Sequence, residues 1–284
     1  MATTTEDAQD APMSFISLND DKPITVVLLH GGFTCHLEFE RVFPLLTEFH
    51  LLLPDLPCHS KSQHIKPATT DNSAKHVAHL IKNHAHGGKA HLVGVSMGGF
   101  IAQCLALEQP ELCHSIFVTG SAPLAGRRLS MVQWTRTTYY FMRFVMNWTP
   151  EWYYRSQLTS MGITVSDEFL AETRNNITWD LVKDMFPWIT KFTLDHVKQL
   201  QVRTLHIAGG FGDKVDDVPM MEKTAEALRS RQTSEGQPWP EDGSCAVVVR
   251  DATHGWDMQF PERFAQGVTA WVNEQPLPAE FERL

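Results

Sequence analysis

The stretch Gly94-Val95-Ser96-Met97-Gly98 decides the fold, because it lies between two segments of different character. Residues 90–93 before it are an apolar run that predicts a buried strand, and residues 100–107 after it favour a helix. A sharp turn from strand to helix strains the backbone at its apex and leaves no room for side chains two residues away. The two glycines meet that demand, so the pattern is typical of a nucleophile elbow with an exposed serine.

The same five-residue pattern also fits an alternative without catalytic function, a glycine-containing turn in an ordinary α/β protein. Two further features distinguish a catalytic serine from such a turn. One is a loop upstream that presents N–H groups to an oxyanion, and the other is an acid followed by a histidine downstream.

The upstream feature is His30-Gly31-Gly32-Phe33, which follows the apolar run 24–29. Glycines at this position allow the backbone to approach a ligand and to point N–H groups at it. We therefore predict an oxyanion hole formed by the N–H of Gly32 or Phe33 together with the N–H of Met97. The alternative is an ordinary glycine turn.

The downstream features follow the last two predicted strands of the sheet. His254 lies in a loop after the strand at 245–250, where a general base can reach the serine hydroxyl. Asp213 follows a glycine-rich stretch after the strand at 202–208 and is the predicted partner of the histidine. Asp216 is a close competitor, as is Asp217, and both also suit a role in capping the next helix.

Strand-like and helix-like segments alternate along most of the chain. The predicted strands are residues 24–30, 50–54, 89–95, 115–119, 202–208 and 245–250. Such alternation predicts a doubly wound, mostly parallel sheet, in which ligands bind beyond the carboxyl ends of the strands.

Residues 122–201 interrupt this alternation and predict a helical cap inserted into a core of residues 13–121 and 202–284. This region holds all four tyrosines and five of the eight tryptophans, mostly as a small core of its own. Met131, Met142, Met146 and Met161 are candidates for adaptable pocket walls. The predicted substrate-pocket residues are Trp134, Tyr139, Trp152, Trp188 and Trp256.

The overall composition, with 43% hydrophobic and 20% charged residues, is that of a globular protein, and the net charge of −9 argues against a nucleic-acid partner. No apolar run approaches the ~20 residues that cross a bilayer. Residues 1–12 are expected to be a disordered arm without a signal peptide. Five scattered cysteines suggest free thiols and a cytoplasmic location.

A group of histidines at residues 76–91 has spacings that suit zinc, but no carboxylate or thiol completes a recognisable ligand pattern. We therefore interpret the group as a solvated helix face and predict no metal site. Its members are His76, His79, His84, His86 and His91.

With serine, acid and histidine in this order, residues 22–275 resemble the α/β-hydrolase superfamily, in its cap-bearing branch. The resemblance implies a Ser96–His254–Asp213 triad, an acyl-serine route and no cofactor. One departure concerns the loop at residues 55–62, where Cys58 and Ser60 replace two glycines that are frequent in the family. This loop must take another path or hold non-glycine residues at positive φ.

Three functions fit these residues. The first is a serine hydrolase acting on an apolar ester, thioester or lactone. The second uses the same fold as a C–C bond hydrolase, lyase, dehydratase or cyclase on a polyketide-like molecule. The third is a small-molecule binding protein or receptor. The oligomeric state is open.

Overall fold

The computed structural model describes residues 12–211, 217–230 and 243–284, apart from the side chains of Arg127 and Asp217. Within these ranges the strands are β1 Phe15–Leu18, β2 Thr25–Leu29, β3 His50–Pro54, β4 Ala90–Val95, β5 Cys113–Thr119, β6 Arg203–Gly209, β7 Cys245–Val249 and β8 Glu282–Arg283. They form one sheet in the order β1-β3-β2-β4-β5-β6-β7-β8.

The six inner strands of this sheet are parallel, whereas β1 pairs antiparallel with β3 and β8 pairs antiparallel with β7. The predicted doubly wound, mostly parallel sheet is confirmed, and the two short antiparallel edge strands were not predicted. Because parallel strands end at the same edge, the residues after β2, β4, β5, β6 and β7 all gather there.

Helices connect the strands and cover the sheet. They are α1 Thr70–His84, α2 Met97–Glu108, α3 Gly126–Gln133, α4 Thr135–Trp148, α5 Glu151–Ser160, α6 Asp167–Asn176, α7 Trp179–Ile189, α8 Leu194–Gln199, α9 Asp217–Arg229, α10 Trp256–Gln259 and α11 Pro261–Val272. Short 3-10 helices occupy His36–Phe39, Phe43–Leu45, Ser60–Ser62, His86–Gly88 and Pro110–Leu112. Six helices, α3 to α8, stand between β5 and β6 among the described residues.

Alternate residues of each inner strand belong to two separate hydrophobic cores. Val27 and Leu29 of β2 pack into the core that includes α1, α2 and α7, and Val26 and Leu28 pack into the core that includes α11. A strand directs successive side chains to opposite faces, so a strand buried on both faces must be apolar throughout. This accounts for the unbroken apolar runs in the sequence.

The loop after β3 keeps the left-handed turns although it lacks the glycines. Cys58 has φ of 66° and Ser60 has φ of 41°. The second of the two predicted alternatives is therefore correct, and these residues accept a conformation that side chains normally disfavour. Asn176 at the end of α6 supports the turn: its Oδ1 accepts the N–H of Ser60, and its Nδ2 donates to the carbonyl of Thr34.

The described residues bear on three further predictions, which concern membrane-spanning segments, the cysteines and the N-terminal arm. No described helix is both long and apolar enough to cross a membrane. All five cysteines are buried free thiols, as their odd number suggested. The predicted disordered arm falls almost wholly on residues 1–11, which lie outside the described part of the chain.

Candidate active site

Ser96 stands at the tip of β4, directly before α2, with φ of 50° and ψ of −113°. Its N–H donates to the carbonyl of Thr119 on the neighbouring strand at 2.8 Å, which holds the strained turn against the sheet. A Cβ at Gly98 would lie 2.1 Å from the carbonyl oxygen of Leu29, and one at Gly94 would lie 2.6 Å from the backbone of Gly98. The elbow therefore requires glycine at both positions, for the steric reason that the sequence suggested.

His254 lies in the loop between β7 and α10, against the backbone that follows β5. A Cβ at Gly120 would lie 2.4 Å from Cε1 of His254, so the imidazole packs directly on that glycine. Arg128 of α3 donates from Nη2 to Nδ1 of His254 at 2.9 Å. The structure thus brings His254 and Ser96 to one cavity, with a guanidinium beside the ring. No sequence pattern singled out Arg128.

The loop after β2 is fixed by two buried, neutral histidines. Nε2 of His59 accepts the N–H of Phe33 at 3.1 Å, while its Nδ1 bonds to the carbonyl of Pro57. His30 accepts the N–H of Leu56 at 2.9 Å and bonds to the carbonyl of Gly31. Burial lowers the pKa of His59 to about 3 and that of His30 to about 4, so both stay uncharged at neutral pH.

The two predicted oxyanion donors of the loop, Gly32 and Phe33, have different surroundings. The N–H of Phe33 is engaged by His59, and Phe33 holds a positive φ of 73°. Gly32 lies at the cavity, where a Cβ on it would be 3.9 Å from Cβ of Met97. Of the two loop residues, Gly32 is therefore the better placed to act with Met97.

A cavity of about 320 Å³ opens above Ser96. Its walls are mostly apolar side chains from the loop after β2, from α2 and from the helices between β5 and β6. The lining residues are Gly32, Phe33, Ser96, Met97, Phe100, Gly120, Leu124, Arg128, Met131, Val132, Met142, Met185, Phe186, Ile189 and His254. This volume is at the lower end of the range for small-molecule sites.

The five predicted pocket aromatics are not among these lining residues. Trp134 and Trp152 are each 71% exposed, and Trp256 is fully buried, donating to Oγ1 of Thr119 at 2.8 Å within the core of α11. Tyr139 and Trp188 are partly buried and pack on the other core. Sequence spacing cannot show which face of a helix turns inward, and here the inward positions hold mostly aliphatic residues and methionines.

Among the four methionines that the sequence suggested as pocket walls, Met131 and Met142 do line the cavity. Met185 lines it as well, with its sulfur 3.1 Å from the position that a Cβ on Gly32 would take. Unbranched thioether side chains adapt to irregular ligands, so this wall can change shape.

Two buried carboxyl groups lie behind the loop after β2, and no sequence pattern pointed to them. Glu38 accepts hydrogen bonds from the N–H of Gly31 and from the hydroxyl of Thr34. Burial raises the pKa of Glu38 to about 7, against smaller opposing effects of the hydrogen bonds from Gly31 and Thr34 and of His254. Burial, reinforced by the negative charge of Glu38, raises the pKa of Asp257. The pair therefore holds a proton more tightly than exposed carboxyls do.

The predicted acid of the triad, Asp213, lies outside the described residues, as does its competitor Asp216. The side chain of Asp217, at the start of α9, is not described either. The choice between these carboxylates therefore stays a prediction.

Two groups of three side chains in the described part of the chain have ligand-type atoms within 4.8 Å of one another: Cys35, His36 and Asp55, and Asp71, Cys104 and Glu108. In the first group, Nδ1 of His36 already bonds Asp55 at 2.8 Å, and burial raises the pKa of Cys35 to about 12. Burial also raises the pKa of Cys104 in the second group.

The fold and the serine elbow define a class of protein, and comparison with known proteins agrees with it. A sequence profile of the family described as "alpha/beta hydrolase fold" matches residues 24–195. An AB hydrolase superfamily protein of Gibberella zeae is 30% identical over 275 residues, which are 91% of this chain and 83% of that relative. The chain belongs to the α/β-hydrolase superfamily.

Other similarities cover less sequence or are more distant. The sn-1-specific diacylglycerol lipase of Danio rerio is 34% identical over 112 residues, 38% of this chain and 34% of that relative. A thermophilic esterase from Thermogutta terrifontis shares the fold with a TM-score of 0.65 at 21% identity, over 92% of this chain and 93% of that one. Together these similarities support a hydrolase.

The hydrogen bond between Phe33 and His59 is testable through stability. His59→Leu removes the acceptor and leaves a partly buried N–H without a partner, which we expect to lower the free energy of unfolding by about 1–3 kcal/mol. His59→Gln retains an acceptor and should recover part of that loss. Urea denaturation measures both, and equal stability of the leucine variant and the wild type would contradict the assignment.

The buried carboxyl Glu38 predicts a pH-dependent stability. Its pKa rises from 4.5 to about 7 on folding, so between these values the folded chain keeps a proton that the unfolded chain has lost. Stability therefore falls as pH rises through that window. We expect Glu38→Gln to gain about 2 kcal/mol relative to the wild type between pH 5 and pH 8.

Denaturation curves at several pH values check this, with Glu111→Gln as the control, since Glu111 is an exposed carboxyl. A difference between Glu38→Gln and the wild type that stays constant with pH would show that Glu38 is ionised in the folded protein.

Proposed function

We propose that the protein is a serine hydrolase that cleaves an apolar ester, thioester or lactone through an acyl-serine intermediate. The observation that carries the proposal is the shared cavity of Ser96 and His254, with Gly32 and Met97 on its wall. The strained backbone of Ser96 adds support, because such strain is costly and is found mainly at functional sites.

In the proposed reaction the hydroxyl of Ser96 attacks the carbonyl carbon while His254 accepts its proton. The N–H groups of Gly32 and Met97 stabilise the oxyanion, aided by the N-terminus of α2. His254 then protonates the leaving group, and a water molecule, deprotonated by the same histidine, releases the acyl group and restores Ser96.

A carboxylate is needed to orient His254 and to stabilise its charged form. We assign this role to Asp213, which follows the strand next to β5 and β7, with Asp216 as the alternative. The bond from Arg128 engages Nδ1, the nitrogen that a carboxylate partner binds in such triads. In the proposed reaction Arg128 must therefore release Nδ1 or lie beside the carboxylate.

The walls of the cavity support a compact, apolar acyl or alcohol group as substrate. Arg128 adds one cationic group at the end next to His254, so a substrate with one polar end also fits. We propose that residues 122–201 act as the cap that shapes this cavity, since Leu124, Met142 and Met185 come from that region. No cofactor enters the proposed reaction.

The same cavity would also serve the second function, cleavage or rearrangement of a polyketide-like molecule, and the third, ligand binding without turnover. These reactions differ in their need for Ser96. The ester route cannot proceed without the serine nucleophile, whereas a route that uses His254 as a base retains part of its rate.

Hydrolysis of short-chain p-nitrophenyl esters tests the proposal. We expect turnover by the wild type and a loss of at least about 10³-fold in kcat for Ser96→Ala, because the attacking atom is removed. Ser230→Ala, an exposed serine at the end of α9, should retain full activity.

In the same assay, Asp213→Asn should lose far more activity than Asp216→Asn if Asp213 orients the histidine. The reverse order would assign the role to Asp216. Absence of turnover with every ester, or an active Ser96→Ala variant, would overturn the serine-hydrolase proposal.

A further inference from the structure

The helices over the cavity carry large apolar side chains that face the solvent. We call the outer aromatic face the set formed by Met131, Trp134, Phe141, Phe144, Trp148 and Trp152. Their exposed fractions range from 54% for Met131 to 76% for Trp148. Single exposed apolar residues are common on proteins, but a group of large aromatic side chains on consecutive helices marks an interaction surface.

Helix α4 shows how this face arises. Phe141, Phe144, Val145 and Trp148 stand at positions i, i+3, i+4 and i+7, so they form a stripe along one side of the helix. All four are exposed, and the rings of Phe144 and Trp148 stack with centroids 5.9 Å apart. An apolar stripe at helical spacing normally faces a core, and here it faces outward.

Another side of α4 faces the cavity. Met142 follows Phe141 directly, so it is turned about 100° from Phe141 around the helix axis, and it lines the cavity above Ser96. The helix therefore has two apolar sides, one toward the cavity and one toward the surroundings. Packing within the fold explains only the first of them.

The charge of this region differs from that of the whole chain. The chain carries 33 acidic residues, yet none stands between Glu111 and Glu151. The same stretch contains four arginines, Arg127, Arg128, Arg136 and Arg143. Arg136 is exposed on α4, on another side of the helix from the aromatic stripe, because it stands five residues before Phe141. Aromatic and basic residues on one helix are typical of segments that lie in the interface of an anionic bilayer.

The outer aromatic face is also continuous with the cavity. Met131 is more than half exposed and at the same time lines the cavity wall. An apolar molecule that leaves a lipid layer beside Met131 would therefore meet a side chain that also forms part of the cavity wall.

From these observations we infer that the outer aromatic face docks the protein onto an anionic lipid surface, with the side of α4 that carries Phe144 and Trp148 lying in the headgroup layer. A second copy of the chain is a poorer occupant. A two-fold pair through this face would set each copy's acid-free, arginine-bearing segment against the same segment of its partner, and like charges would repel.

Flotation of the full-length protein with vesicles tests the inference, using phosphatidylcholine alone and phosphatidylcholine with about one third phosphatidylserine. We expect binding to the anionic vesicles that weakens with added salt. The double variant Phe144→Ser/Trp148→Ser should lower the partition coefficient at least about tenfold, because two large apolar contacts with the lipid are lost.

The matched control is Ile24→Ser/Leu45→Ser, which removes two exposed apolar side chains far from α4 in the sequence. It should bind like the wild type, and thermal unfolding should show that both double variants are folded. Ser96→Ala should also bind like the wild type, so this test is independent of the proposed reaction.

Three results would overturn the inference: no binding of the wild type to anionic vesicles, equal binding of Phe144→Ser/Trp148→Ser and the wild type, or equal binding to both kinds of vesicle. A different set of results would assign the face to a second copy of the chain: the wild type sediments as a dimer and does not bind vesicles, and Phe144→Ser/Trp148→Ser sediments as a monomer.

Discussion

The approach of Gly98 to the carbonyl oxygen of Leu29 is the constraint on which the site depends. The first turn of α2 packs directly against the end of β2, so that a Cβ at Gly98 would lie only 2.1 Å from that oxygen. This contact places Ser96 beside the loop of His30 to Phe33, which starts where β2 ends. The strained serine, the predicted oxyanion donors and the cavity floor all follow from two strands that end side by side.

Much of this arrangement could be predicted because it obeys local rules. Glycines two residues either side of a serine between a strand and a helix have one main steric explanation, and the structure bears it out. The apolar runs identified the inner strands, since strands buried on both faces leave no place for alternation. The antiparallel edge strands escaped prediction because β8 has two residues and neither edge strand is deeply buried.

The rest of the site depends on contacts between residues that are distant in sequence. His59 binds the N–H of Phe33 across 26 residues, and Arg128 meets His254 across 126. No spacing rule reports such pairs, and in a chain with fourteen histidines a buried one is not distinguishable from an exposed one. The five predicted pocket aromatics do not line the cavity above Ser96 for a related reason: tryptophans cluster in residues 122–201, but the helices turn several of them toward solvent.

The central claim is that Ser96 is a nucleophile activated in this cavity. Treatment of the folded protein with a fluorophosphonate, followed by intact mass measurement and peptide mapping, tests it most directly. We expect one covalent adduct on the peptide that contains Ser96 and none on the Ser96→Ala variant. An unmodified wild type, or an adduct on any other residue, would contradict it.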